Sequence, residues 1–329
     1  MLKLKVVSVA IVLVLLIGLT SQSNAAVQDL LVANEAGNSV LRYDGITGAA
    51  LGAFVAAGSG GLTSPEDIKF GSDGNLYVAC YSGTIKKYNG TTGAYIGNFV
   101  TAGSGGLANI IGMAFGPDNN LYVADFIGSS VKKYNGSTGA YMGDFVATGS
   151  GGLTNPRDIK FGPDGNLYIA SMSTYSVKRY NGTTGAYIDD FVPITSLGQQ
   201  ASAIMFREAL YVSNMANNQI KRYGFDGTYI DTFTLPGSYA GAGTYDLGNG
   251  PDGLLYAVEA AARVTRSAGT SPFLSLSFVP SAIVWTPFVP QTCEDIWLLN
   301  MGMATDLNED CVVDFLDFAV MAQNWLVSN

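Results

Sequence analysis

The chain copies itself at a period of about 45 residues, and that self-similarity restricts its fold more than any other feature. The clearest copy is DIKFGPDGNLYIA, residues 158–170. Two runs of β-type patterning there flank a Gly-Pro-Asp-Gly-Asn turn and read as a hairpin. Close copies occupy residues 67–79 and 112–124, and weaker ones residues 203–213 and 246–258. Marked by the Leu before the Tyr, the copies stand at Leu76, Leu121, Leu167, Leu210 and Leu255, with Leu30 in the same register. The intervals are 46, 45, 46, 43 and 45 residues. Strand-type sequence at that spacing specifies four-stranded blades packed on one another, not independent domains.

Strand arithmetic sets the number of blades. In the second repeat, strands are expected at 67–70, 76–79, 84–88 and 94–100. The first repeat starts directly at a second strand, 30–33, whereas SAIVW at 281–285 reads as a first strand that no second strand follows. Pairing these two segments completes six blades over residues 27–287 and removes the free sheet edges that invite aggregation. The expected fold is therefore all-β, a six-bladed β-propeller closed by its N- and C-terminal strands, with a small α-helical tail. Fourteen of the 18 tyrosines fall in three repeat columns, led by Tyr77, Tyr88 and Tyr95, and are expected to pack between blades. The Tyr-Asn-Gly-x-Thr-Gly turns are expected to place positive φ at Asn-Gly. Asn89, Asn135 and Asn181 are then turn residues, although each matches the glycosylation pattern.

Two lysines and an apolar run over residues 6–19, ending in Ser23-Asn24-Ala25, describe a secretory signal peptide of residues 1–25, too short to span a membrane. The expected location is extracellular or at the cell surface. Without the leader, 15 basic face 26 acidic residues. That balance argues against nucleic acid or anionic membrane as a partner. Of three cysteines, Cys293 and Cys311 are expected to form a disulfide, leaving Cys80 free.

The repeat columns resemble NHL-type propellers, in which a Pro-x-(Gly/Asp)-Ile strand leads into an Asp-Gly-Asn-Leu-Tyr-Val-Ala-Asp hairpin. SPEDIKFGSDGNLYVAC and NPRDIKFGPDGNLYIAS carry the likeness, while the final Asp is kept only as Asp125. The resemblance implies the fold and a monomeric ring; function does not follow from it. Residues 291–329 differ in composition. Asp306, Asn308, Asp310, Asp314 and Asp317 stand at loop positions 1, 3, 5, 9 and 12, with the Val312 carbonyl at 7, ahead of a helix-type apolar pattern. This resembles a dockerin loop and implies Ca²⁺ in the tail and a cohesin-like protein or surface assembly as partner. Departures are Cys311 at the usual Gly position and a single complete loop.

Histidine is absent from the chain, which excludes Ser-His-Asp and Cys-His catalysis and His-ligated zinc. It also weighs against streptogramin lyases and peptidyl-hydroxyglycine amidating lyases, which depend on histidines. The Gly-Ser-Gly-Gly segments at 58–61, 103–106 and 149–152 lack a phosphate-loop Lys and read as connectors between blades. Topology places the loops entering each first strand on the same face as the loops between second and third strands. The entering loops offer Glu66, Asp67, Arg157, Asp158 and Asp246. Asp67, Asp158 and Asp246 either hold a divalent metal in the channel, as gluconolactonases do with acids and amides, or accept local backbone N–H bonds. Tyr81, Phe126, Met172 and Met215 form either a binding arc on that face or packing over the blade tops. The column Arg42, Lys87, Lys133, Arg179, Arg222 and Arg266 is expected on the outer flank, paired with acids such as Asp144 and Asp190.

The leading functional expectation is a secreted, non-enzymatic binding or scaffold module attached through its tail. The alternatives are a metal-dependent, lactonase-like hydrolase using Asp67, Asp158 and Asp246, and an accessory component of a polysaccharide-degrading complex.

Overall fold

In a computed structural model of the chain, residues 28–287 are described, apart from 217, 240 and 242. The segments expected to be a signal peptide (1–25), a calcium loop (Asp306 to Asp317) and a Cys293–Cys311 disulfide lie outside the described residues.

Six four-stranded antiparallel sheets make the ring. Blade I consists of Pro280–Trp285, Leu30–Asn34, Ser39–Tyr43 and Ala50–Val55. The closing pair is antiparallel, with Leu30 opposite Trp285 and Val32 opposite Ile283. Blade II consists of Pro65–Phe70, Leu76–Cys80, Thr84–Tyr88 and Tyr95–Val100. Blades III, IV, V and VI begin at Ile110–Phe115, Pro156–Phe161, Ala201–Phe206 and Thr244–Asn249. These first strands touch their neighbours all the way round and line the axis. Second strands such as LYVAC and LYVAD are buried throughout, because each lies between two blades and meets side chains on both faces. Among the described residues there is one α-helix, Ile194–Leu197 in the connector between blades IV and V, besides four single 3-10 turns. Among the described residues no helix is long and apolar enough to cross a membrane.

Aromatic rings fill the seams between blades. Tyr77 meets Phe99 of its own blade at 4.8 Å and Phe115 of the next at 5.0 Å, both edge-on. Offset and edge-on contacts of this kind add about 1 kcal/mol to area burial. In the second tyrosine column Tyr88, Tyr134 and Tyr180 donate their hydroxyls to the Gly-Ser-Gly-Gly connectors, as from Tyr88 to the Ser59 carbonyl at 2.8 Å. The third column behaves differently from expectation: Tyr95, Tyr141, Tyr187 and Tyr229 are 39–48% exposed, because their strands form the outer edge of each blade.

Two other expectations are corrected. In the YNGTTG turn the positive φ sits at the second glycine, Gly93 (70°), not at Asn-Gly. Asn89 acts instead through its side chain, whose Oδ1 accepts the Thr91 and Thr92 N–H groups at 3.0 and 2.8 Å. Gly90 is needed for close approach, since a Cβ there would lie 1.7 Å from the Gly74 carbonyl oxygen. The basic column is on the outer flank, but its partners are other acids. Lys87 pairs with Asp73 at 2.7 Å, Lys133 with Asp118 at 2.8 Å and Arg179 with Asp189 at 2.5 Å. Asp144 and Asp190 pair with the preceding, buried lysines Lys132 (3.0 Å) and Lys178 (2.7 Å), because adjacent strand residues point to opposite faces.

These turn acids make the ring acid-sensitive. Burial works against ionised Asp73 and Asp118, but bonds from Lys87 or Lys133, the neighbouring Asn and the Tyr hydroxyl outweigh it and hold both near a pKa of about 2. The unfolded chain takes up these protons first, so their stabilisation is complete above about pH 4 and lost as pH falls to about 2. The urea midpoint should drop across that window, and Asp73→Asn with Asp118→Asn should flatten the drop.

Candidate active site

All six first strands carry a register shift near their N-terminal ends, for example between Pro65 and Asp67 and between Thr244 and Asp246. A bulge re-aims side chains, and here it turns two successive layers towards the axis. Glu66, Ile111, Arg157, Ser202, Tyr245 and Ser281 form the mouth. Asp67, Gly112, Asp158, Ala203, Asp246 and Ala282 form the ring beneath it. Acids on blades II, IV and VI thus alternate with small residues on III, V and I.

The alternation has a structural cause. Asp67 accepts the Ile68 N–H (2.8 Å) with one oxygen and reaches across the seam to the Met113 N–H (2.8 Å) with the other. Asp158 takes the Ile204 N–H at 2.9 Å, and Asp246 takes those of Leu247 (2.8 Å) and Ile283 (3.0 Å). Each carboxylate therefore fastens its blade to the next, and the last fastens the closing strand. A side chain at Gly112 would collide with the Arg157 carbonyl at 2.3 Å.

Two residues down the same strands, Lys69 and Lys160 donate to Asp67 and Asp158, the latter at 2.5 Å. Burial alone would lower Lys69, but the carboxylates of Asp67, Asp246 and Asp158 outweigh it and hold the ammonium above the ordinary lysine range. Blade VI has Gly248 at that position, so Asp246 has no ammonium of its own. Its pKa is raised, by burial first and by Asp67 and Asp158, against the pull of Lys69 and Lys160. A divalent cation fits this trio poorly. The oxygens that would ligate it already accept backbone N–H groups, and two lysines supply the positive charge. Among the described residues no group of acidic, Cys or His side chains is arranged to hold a metal.

The mouth is different. Glu66 and Arg157 are half-buried, and neither has a hydrogen bond or ion pair among the described residues. Burial, with Glu35 adding to it against the pull of Arg157, pushes Glu66 up to about 7. Burial also lowers Arg157, whose Nε is buried without a partner while its guanidinium lies 5.0 Å from the Tyr245 ring. The space at the axis is about 20 Å³, room for one small polar group, so a substrate must sit above the mouth.

Of the residues expected from the sequence, Glu66, Asp67, Arg157, Asp158 and Asp246 come together here. Tyr81, Phe126, Met172 and Met215 do not line the channel. Their N–H groups bond the entering loops of their own blades, as from Phe126 to the Asn109 carbonyl at 2.9 Å. Tyr245, Lys69 and Lys160 were missed; the DIKF spacing, with Lys two residues after Asp on one strand face, was the available signal for the lysines.

Three solved structures share this architecture. A Bacteroides caccae protein of unknown function matches at a TM-score of 0.61 and 14% identity, over 80% of this chain and all of its own. Virginiamycin B lyase from Staphylococcus aureus matches at 0.56 and 15%, over 80% and 82%. A catalytically inactive histidine-to-alanine form of that lyase with quinupristin matches at 0.54 and 13%, over 82% and 87%. The model for the strictosidine synthase-like N-terminal family matches residues 49–88, less than one repeat. No curated protein matches the chain in sequence.

The chain is thus a six-bladed propeller of the fold found in these proteins. The expectation of a non-enzymatic scaffold is overturned: this ring is an architecture on which a lyase operates, so the fold no longer argues against catalysis. The sequence holds no histidine, and the titratable side chains at this mouth are the Glu66 carboxyl, the Arg157 guanidinium and the Tyr245 phenol.

Proposed function

We propose that the chain is an exported enzyme that opens an ester or lactone by acid–base chemistry at the mouth of the propeller axis. The observation that carries this is the pair Glu66 and Arg157, oppositely charged and half-buried at one opening. Neither is hydrogen-bonded to another group among the described residues, while the acids below them are saturated. A carboxyl group with a pKa near 7 exchanges protons with little cost at neutral pH, which suits it as a general base. Glu66 takes a proton from the substrate or from an attacking water. Arg157, oriented by Tyr245, faces the oxygen on which negative charge collects, and protonated Glu66 returns the proton to the departing oxygen. The Asp–Lys layer holds the mouth rigid.

A panel of lactones and carboxylate esters, assayed with and without a chelator, tests the reading. Turnover should survive chelation, and Arg157→Met should lower kcat/KM by about 10²-fold. A panel inert throughout, loss of activity on chelation, or full activity in Arg157→Met overturns it.

A further inference from the structure

The repeats show what normally fills a seam. Between blades II and III, Tyr77 is sandwiched by Phe99 and Phe115, and Tyr134 of blade III closes the same cluster. Tyr122, Phe145, Phe161 and Tyr180 repeat the set one seam on, and Tyr168, Phe191, Phe206 and Tyr223 the next. At the seam between blades V and VI two of the four rings are missing. Asn249, which is exposed, stands in the column of Phe115, and Ser267 stands in the column of Tyr134. Among the described residues Tyr211 keeps Phe233 as its one aromatic neighbour, at 6.0 Å. The turn before it, Arg207-Glu208-Ala209, is also two residues shorter than Gly162-Pro163-Asp164-Gly165-Asn166, which uncovers the seam.

A cavity of about 290 Å³ results, walled by Tyr211, Phe233, Leu255 and Ser267 with Arg222 and Glu208 at its edge. It lies towards the face opposite the channel mouth, since the turn between first and second strands opens there. We propose that this seam binds a small aromatic ring, phenyl or phenolic, which takes the place of the missing Phe and Tyr. The filled seams supply the argument, because the same walls elsewhere in the molecule close on an edge-on aromatic ring. Arg222 lies 5.9 Å from the Tyr211 ring and 5.6 Å from that of Phe233, and Asp231 neutralises it. The slot therefore offers aromatic faces and no net charge. The space is open to solvent and rimmed by the charged Arg207, Glu208, Arg222 and Asp231, and its volume has room for a single substituted ring laid against Tyr211 and Phe233.

Titration of the full chain with p-cresol and with its saturated analogue 4-methylcyclohexanol, read by ligand-observed NMR and calorimetry, tests the proposal. The chain should show one saturable site with about tenfold preference for p-cresol. Ser267→Tyr and Asn249→Phe, each filling the seam, should weaken p-cresol binding about tenfold or more and raise the unfolding midpoint. Phe233→Leu keeps the space but removes an aromatic wall, and should abolish the preference. No saturable binding, equal binding of the two compounds, or undiminished binding in a filled variant with a native circular dichroism spectrum overturns the site. If neither filled variant folds, retention of the p-cresol preference in Phe233→Leu overturns it.

Discussion

Glu66→Gln should reduce turnover at the channel mouth by about 10²–10⁴-fold without lowering the unfolding midpoint, since it removes a carboxylate that burial penalises when ionised. The substitution keeps size and polarity but removes the group that takes the proton. Among the described residues Glu66 makes no hydrogen bond or ion pair on which the ring depends. The pH profile carries the sign. A base works in its ionised form, so kcat/KM of the parent should rise through about pH 7, the value to which burial pushes this carboxyl. In Glu66→Gln the residual rate should show no such rise. A profile that is flat in the parent, or that falls with rising pH, would assign Glu66 another role. Arg157→Met should lower the height of the rise and move it to higher pH, because Arg157 acts on the oxyanion and its charge also holds the Glu66 carboxyl down.

The second large effect concerns stability. Asp158→Ala should destabilise the ring by about 3–5 kcal/mol, the usual result of removing one partner from a buried charge pair. It strands the Lys160 ammonium, bonded at 2.5 Å, and leaves the buried Ile204 N–H without its acceptor. Asp246→Ala should cost less, about 1–3 kcal/mol. It frees the Leu247 and Ile283 N–H groups but strands no lysine, and it removes a carboxylate whose pKa is raised. With its folded pKa above the unfolded value, Asp246 opposes folding when ionised, and that penalty is relieved as pH falls through the folded pKa. The Asp246→Ala deficit should therefore grow as the pH is lowered towards 4. Chemical denaturation of both variants across pH 4–8 measures the ranking and the trend.

Much of the ring is legible in the amino-acid sequence. The closing pair, 30–33 with 281–285, follows from counting strands, and it stands as Leu30–Asn34 beside Pro280–Trp285. The second strand of the second repeat, expected to end at Ala79, runs one residue further to Cys80, and the first strand starts two residues earlier, at Pro65. That difference is the bulge. A bulge adds a residue to one strand without altering the hydrophobic period from which strands are recognised. Glu66 and Asp67 would otherwise point to opposite faces. The same limit hid the partners of Asp144 and Asp190, which depend on which of two adjacent lysines faces the fourth strand.

By itself the chain determined the repeat, the number of blades and the face on which a site would lie, because each is set by period and turn chemistry within a few tens of residues. Only the assembled ring decided what the acids do. Asp67, Asp158 and Asp246 look alike in sequence, yet their oxygens are engaged by N–H groups up to 46 residues away. Whether a carboxylate is saturated or free to react depends on those neighbours, and the vacant seam beside Tyr211 likewise exists only once blade VI fails to supply its rings.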